Sequence, residues 1–168
     1  MRNISKFSAI ALLSACVPTL PTHESQAPRF EFSAAFIDEM RCEGRPNPAP
    51  VLQDLVEAGI IDRSARMVVD SVSCFPTIGA PSLMGMPIVA ICGYEEDMQK
   101  WGRYSDLFSR GPGTSPGQLI SIHTSFSKEA TRSWYGRSFG SPNGGVRFGA
   151  PYFSFGGATE VTCRDQYR

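Results

Sequence analysis

Apolar and polar positions alternate along this chain with two periods, one helical and one extended. Phe32, Phe36 and Met40 stand at i, i+4 and i+8 with Ile37 beside them, which places a first helix within Phe30–Met40. Gly44 and the alternating Pro46, Pro48 and Pro50 stop it. Pro50 suits the first turn of a second helix with Val51, Leu52, Leu55 and Val56 on one face. Gly59 can close that helix in the left-handed conformation, with Ile60 as its hydrophobic contact. Met67–Phe75 is rich in β-branched residues and reads as one strand, followed by a Gly/Pro/Met loop. Pro87–Tyr94 is nearly all apolar and reads as a central strand. Glu95, Glu96 and Asp97 suit a solvated helix start, continued by Met98, Trp101, Tyr104 and Phe108.

Gln118–Phe126 alternates strictly, so Ile120, Ile122 and Phe126 face a core while Ser121, His123 and Ser125 form a polar, half-exposed face. The aromatic runs at 133–139, 145–149 and 151–157, divided by turn signals such as Ser141-Pro142-Asn143-Gly144-Gly145, read as short strands and loops. Ala158–Arg164 reads as a last strand. The order predicts a small α+β domain over residues 29–168, with a mostly antiparallel sheet, two or three helices and two disulfides.

The start of the chain follows neither period. Arg2 and Lys6 precede Phe7–Ala15, an apolar run too short to span a bilayer and of the length of a secretory leader. The run ends in Leu13-Ser14-Ala15-Cys16, which resembles the lipobox of bacterial lipoproteins. The resemblance covers the leader alone. It implies a signal peptide over residues 1–15, a lipidated Cys16 that anchors the protein in the membrane, and a tether over residues 16–28. Pro18, Pro21 and Pro28 favour an extended tether, and His23 lies in it, away from any folded site. Val17 stands where some lipoproteins carry the Asp that retains them in the inner membrane, so the resemblance implies the outer membrane, facing the periplasm. An ordinary leader cut near Ala27, giving a soluble periplasmic protein, is the alternative.

The other cysteines agree with export. Cys42, Cys74, Cys92 and Cys163 are even in number and contain no CxxC, so two disulfides are expected rather than a zinc ribbon or a thioredoxin-type site. Three pairings are open. If residues 67–75 and 86–94 form a hairpin, Cys74 lies opposite about position 88, which disfavours Cys74–Cys92. Cys42 and Cys163 would then each pair with one of the strand cysteines.

Composition narrows the class further. With 42% hydrophobic residues, 19% charged residues and zero net charge, the chain is not a disordered tail, a collagen or a polytopic membrane protein. The zero conceals an asymmetry. Phe30–Asp106 carries six basic against twelve acidic residues, whereas Lys128–Arg168 carries six basic against three acidic. In the basic part, Trp134, Tyr135, Arg137, Phe139, Arg147 and Phe148 form a candidate partner-binding set, because Arg and aromatic residues dominate interface hot spots. The plainer reading places most of these aromatics in the core. An exported protein rarely meets nucleic acid, so a protein or an envelope glycan is the expected partner.

No specific reaction is encoded by a motif. Gly113-Thr114-Ser115-Pro116-Gly117 has the form of a serine nucleophile elbow, but Pro116 lacks the N–H that the oxyanion hole needs. Gly136-Arg137-Ser138-Phe139-Gly140 is followed by residues that do not begin a helix. His123 is the lone histidine of the folded part, a candidate polar site with no orienting carboxylate evident, and one histidine makes no His-rich metal centre. Adjacent Glu95, Glu96 and Asp97 lack the separation of a glycosidase pair. The leading expectation is a non-enzymatic, lipid-anchored envelope protein, without cofactor or metal, that binds another macromolecule in an inhibitor, immunity-type or accessory role. The alternatives are a small periplasmic enzyme using His123, with Ser115 or Ser138, and a structural protein binding peptidoglycan or lipopolysaccharide.

Overall fold

A computed structural model describes residues 30–111, 115–151, 153 and 155–165. The leader, the lipobox with Cys16 and the tether lie outside these residues. Two helices come first, α1 (Ala34–Arg41) and α2 (Pro48–Glu57). Ser33 caps α1 by accepting from the Phe36 N–H at 3.2 Å, and Phe36 and Met40 are the buried face. α2 begins at Pro48, two residues before the expected Pro50, and ends in a Schellman arrangement. There the Gly59 N–H donates to Val56 O and the Ile60 N–H to Leu55 O, with Gly59 at φ +67°.

A turn of 3₁₀ helix, Arg63–Ala65, leads into β1 (Met67–Val69), β2 (Val72–Pro76), β3 (Ser82–Leu83), β4 (Met86–Pro87) and β5 (Ala90–Tyr94). One turn of helix, α3 (Met98–Trp101), precedes β6 (Leu119–Thr124), α4 (Lys128–Phe139), β7 (Val146–Gly149) and β8 (Thr159–Arg164). Six strands form one antiparallel sheet in the order β1-β2-β5-β6-β8-β7, and β3 and β4 form a separate small ribbon. The protein is thus a small α+β domain with two disulfides.

The sheet has two buried faces. On one, residues of α1, α2 and α4 pack with Phe75, Ile91, Ile120, Ile122, Val161 and Cys163 to make the main core. On the other, Val72, Cys74, Cys92, Tyr94 and Leu119 pack with Phe153 from the loop before β8. Gly93 lets α2 lie close on the sheet, because a Cβ there would stand 2.8 Å from Leu52 Cδ1 and 3.2 Å from Pro48 Cβ.

Several expectations are corrected. Met67–Phe75 is a hairpin, not one strand. Asp70 (φ +46°) and Ser71 (φ +77°) form a two-residue turn with both residues left-handed, and Val69 pairs with Val72. The third helix is a single turn, and residues 102–107 continue as turns. The run at 133–139 is helical, not extended: it lies in α4, which Ser127 caps through the Ala130 N–H and which buries Thr131, Trp134 and Tyr135 at helical spacing. That makes four α-helices among the described residues. β6 is buried at all six positions, so its polar side chains face a second core and not solvent.

The disulfides are Cys42–Cys163 and Cys74–Cys92. The favoured pairing is overturned because β2 and β5 are not joined by a tight hairpin. The β3–β4 ribbon takes up the intervening chain, and Cys74 falls directly opposite Cys92.

Candidate functional site

The second face of the sheet collects the polar and reactive side chains. Directly opposed residues share a face, so register alone builds two rows across β2, β5, β6, β8 and β7. The first row is Cys74, Cys92, Ser121, Thr162 and Arg147. The second is Ala90, His123, Glu160 and Gly149. Cys74, Cys92, Ser121 and His123 are all 0% exposed, and Glu160 is 3% exposed.

His123 Nε2 lies 3.3 Å from Cys92 Sγ and 3.9 Å from Glu160 Oε1. Thr162 Oγ1 donates to Glu160 Oε1 at 2.9 Å, which fixes that carboxylate. His123 Nδ1 and Ser121 Oγ have no hydrogen-bond partner among the described residues. Burial lowers the His123 pKa to about 4, so the imidazole is neutral at ordinary pH. The loop before β8 closes over the ring. A Cβ on Gly157 would stand 3.2 Å from His123 Cβ, and the Phe155 ring centroid is 6.4 Å from that of His123. The half-exposed histidine expected from strand alternation is therefore corrected to a buried one. Its cause is the cover on both faces of β6, helices on one and the loop before β8 on the other.

Glu160 is a member of the cluster that sequence reasoning missed. The signal was the alternation in 159–164, where Glu160, Thr162 and Arg164 share one face, but nothing in the sequence placed that face against His123. Among the described residues no hydrogen bond joins the candidate serines to the cluster. Ser115 Oγ donates to Glu96 Oε1 at 3.3 Å, and Ser138 lies in the last turn of α4 rather than on a strand-to-helix elbow.

A second polar group forms around Glu95, which is fully buried and so is not part of a solvated helix start. Its carboxylate accepts from Gln118 Nε2 at 2.8 Å, the Asp97 N–H at 3.1 Å and Lys100 Nζ at 3.4 Å. The Trp101 indole donates to the Glu95 carbonyl at 2.7 Å. Lys100 also donates to Asn47 Oδ1 at 2.8 Å, and the Asn47 N–H to Glu39 Oε2 at 3.0 Å. Burial is the main cause that raises the Glu39 pKa, opposed by that backbone hydrogen bond. These bonds tie the α1–α2 connection to the end of β5, a structural task. Arg45 links the same region to the end of the chain through Glu96 and Asp165, at 3.1 Å each.

The six residues proposed for partner binding divide. Trp134 and Tyr135 are 4% and 1% exposed and belong to the core, with Phe139 and Phe148 half-buried against it. Arg137 and Arg147 are exposed, and Arg147 donates to the carbonyls of Gly144 and Val146. The set therefore does not form one exposed aromatic surface.

Exposed apolar residues gather elsewhere. Met67, Val68 and Val69 of β1 are 45%, 38% and 37% exposed, and β1 is an edge strand with β2 on one side only. Among the described residues no helix is long and apolar enough to cross a membrane. A comparison with known proteins finds no family model, no curated protein and no solved structure that the chain significantly resembles.

Proposed function

We propose that this is an exported envelope protein, anchored through a lipidated Cys16, whose disulfide-stapled domain binds a protein partner and carries out no reaction of its own. The observation that carries the reading is the Cys42–Cys163 bridge, which closes 121 residues of chain and, with Cys74–Cys92, leaves every cysteine of the described domain paired. Such bridges form and persist in oxidising compartments. The lipobox at residues 13–16 and the short apolar run before it supply the route and the anchor.

The binding surface is the open edge of β1. Its three successive exposed apolar residues at an edge of the sheet suit recognition by strand addition, in which main-chain hydrogen bonds give affinity and side chains give specificity. The burial of Trp134 and Tyr135 moves the surface away from the Arg/aromatic segment. The burial of His123 under the loop before β8 argues against the enzymatic alternative.

Fractionation of a bacterium producing the full chain tests the anchor, and alkylation of the sampled protein without reductant tests the compartment. The wild type is expected in membranes with Cys42, Cys74, Cys92 and Cys163 blocked, and Cys16→Ser in the soluble envelope fraction. Unchanged fractionation of Cys16→Ser, or four alkylated thiols, defeats the reading. Val68→Lys on the β1 edge is expected to abolish capture of the wild-type partner with the disulfides still intact.

A further inference from the structure

We infer that the dithiol form of this protein holds a divalent metal ion of the zinc class between β2, β5, β6 and β8, with Cys74 Sγ, Cys92 Sγ and His123 Nε2 as ligands and Glu160 completing the set. The ligand atoms of Cys74, Cys92 and His123 all lie within 4.8 Å of one another. The Cys92 Sγ to His123 Nε2 separation is 3.3 Å and the His123 Nε2 to Glu160 Oε1 separation 3.9 Å. In a tetrahedral zinc site with bonds of about 2.0–2.3 Å, ligand atoms stand about 3.3–3.8 Å apart. Two adjustments are required: the sulfur pair opens by rotation about the two cysteine χ1 angles, and the Glu160 carboxylate, close to His123 but outside the group of three, swings towards the sulfurs.

The donors decide the metal class. Two thiolates and an imidazole favour zinc and its neighbours over magnesium or calcium, which prefer oxygen donors. Burial decides the kind of site. All three first ligands are 0% exposed, and the Gly157 backbone lies tightly over His123, so the site is closed as structural zinc sites are. A packing role alone accounts poorly for the histidine. An apolar side chain would fill the same space without setting a ring nitrogen 3.3 Å from the Cys92 sulfur. The nitrogen that faces the sulfurs is Nε2, the one a metal would use. Among the described residues the other disulfide has no such neighbour: Cys42 and Cys163 sit among the apolar residues of the helix-covered face.

The chemistry balances as a switch. A dithiol or phosphine reductant gives two electrons to the Cys74–Cys92 bond, which breaks to two thiols as two protons are taken up. A dithiol gives up both protons as it closes to its own disulfide, and a phosphine ends as its oxide with the oxygen and both protons supplied by a water molecule. Metal binding then displaces the two thiol protons to solvent, while the neutral imidazole binds through its lone pair. In reverse, a small disulfide oxidant accepts the two thiolate electrons, the S–S bond re-forms and the ion leaves. The metal-bound and disulfide states exclude each other.

The test uses the full chain carrying Cys16→Ser, reduced with a phosphine and titrated with Co²⁺, then competed with Zn²⁺. One cobalt per chain is expected, with thiolate charge-transfer absorption and tetrahedral d–d bands. Both should persist when Cys42→Ser and Cys163→Ser are added and vanish with Cys74→Ser and Cys92→Ser. His123→Gln should weaken binding by more than the about 10–100-fold lost when an outer hydrogen-bond partner of a metal site is removed. A second measurement needs no further cysteine variant. Zn²⁺ should slow alkylation of Cys74 and Cys92, mapped by peptide mass, while leaving Cys42 and Cys163 unprotected. Failure of the reduced chain to retain metal, equal retention without Cys74 and Cys92, or equal protection of all four thiols overturns the inference.

Discussion

Cys42, the left-handed cap of α1 at φ +57°, is bonded to Cys163 in β8, one strand in from the β7 edge of the sheet. The bridge joins the first helix to the last strand across 121 residues, whereas Cys74–Cys92 joins two neighbouring strands across 18. In the chain-entropy account a longer closed loop restrains the unfolded state more, by about 4.7 kcal/mol for 100 residues against about 3 kcal/mol for 15. Replacing Cys42 and Cys163 by Ala should therefore lower the free energy of unfolding more than replacing Cys74 and Cys92, by about 1–2 kcal/mol. Urea unfolding without reductant measures both. An equal or inverted order would show that native-state packing, not loop closure, sets the value of these bridges.

The ribbon β3–β4 turns through Met84 and Gly85, at φ +46° and +83°, with Leu83 paired to Met86. A left-handed conformation costs an L-residue other than glycine or asparagine about 1–2 kcal/mol. The Met84 side chain is 45% exposed, and the atom that holds the turn to α4 is its carbonyl, which accepts from Trp134 Nε1 at 3.1 Å. Met84→Asn keeps that carbonyl and relieves the strain, so it should raise the melting temperature by about 2–4 °C. A lower melting temperature would mean that the methionine side chain contributes more than its exposure suggests.

Gly111 approaches the other left-handed turn. A Cβ there would stand 2.8 Å from the Ser71 backbone nitrogen, and the Gly111 N–H donates to Ser71 Oγ at 2.7 Å. Backbone cannot yield as a side-chain tip can, so Gly111→Ala should cost about 1–3 kcal/mol. Gly93→Ala meets Leu52 Cδ1 at the same 2.8 Å and Pro48 Cβ at 3.2 Å, both side-chain atoms, and no backbone atom nearer than Leu119 O at 3.5 Å. Its loss should be the smaller of the two in matched unfolding curves.

The elements legible in the sequence are those where one residue decides. Gly59 closes α2 as expected, and the apolar run of 87–94 marked β5 near the centre of the sheet, although the strand itself begins at Ala90. Other elements depended on tertiary context. Asp70-Ser71 makes a hairpin turn without the Asn-Gly or Asp-Gly that signals one, so two strands read as one. α4 carries Gly136 and mostly polar residues, and it is a helix because Trp134 and Tyr135 bury themselves on the sheet. The candidate site was half visible. Alternation put Ser121 and His123 on one face, but the strand order that sets Cys92 and Glu160 on either side of them is a property of the whole sheet.

Tyr135 ties α4 to the end of α1. Its hydroxyl donates to Met40 O at 2.9 Å and lies 3.3 Å from Arg41 O. Burial, with a smaller contribution from the negative charge of Glu43, pushes its pKa up from 10.0 to about 12. Below pH 10 the phenol is protonated in both folded and unfolded chains, and its contribution to stability is complete. Between pH 10 and 12 the unfolded chain loses the proton while the folded one keeps it, so the unfolded state binds fewer protons and stability falls as pH rises. The loss across that window is on the order of 2 kcal/mol. Tyr135→Phe removes both the hydrogen bond and the titration. Below pH 10 it should be less stable than the wild type by about 1–2 kcal/mol, because the buried Met40 carbonyl loses its donor. Above pH 10 the two stability curves should converge, since the titrations that remain are common to both proteins. Urea unfolding of the pair on either side of pH 10 decides it, and a difference that stays constant with pH would mean the phenol is not held in its protonated form by the fold.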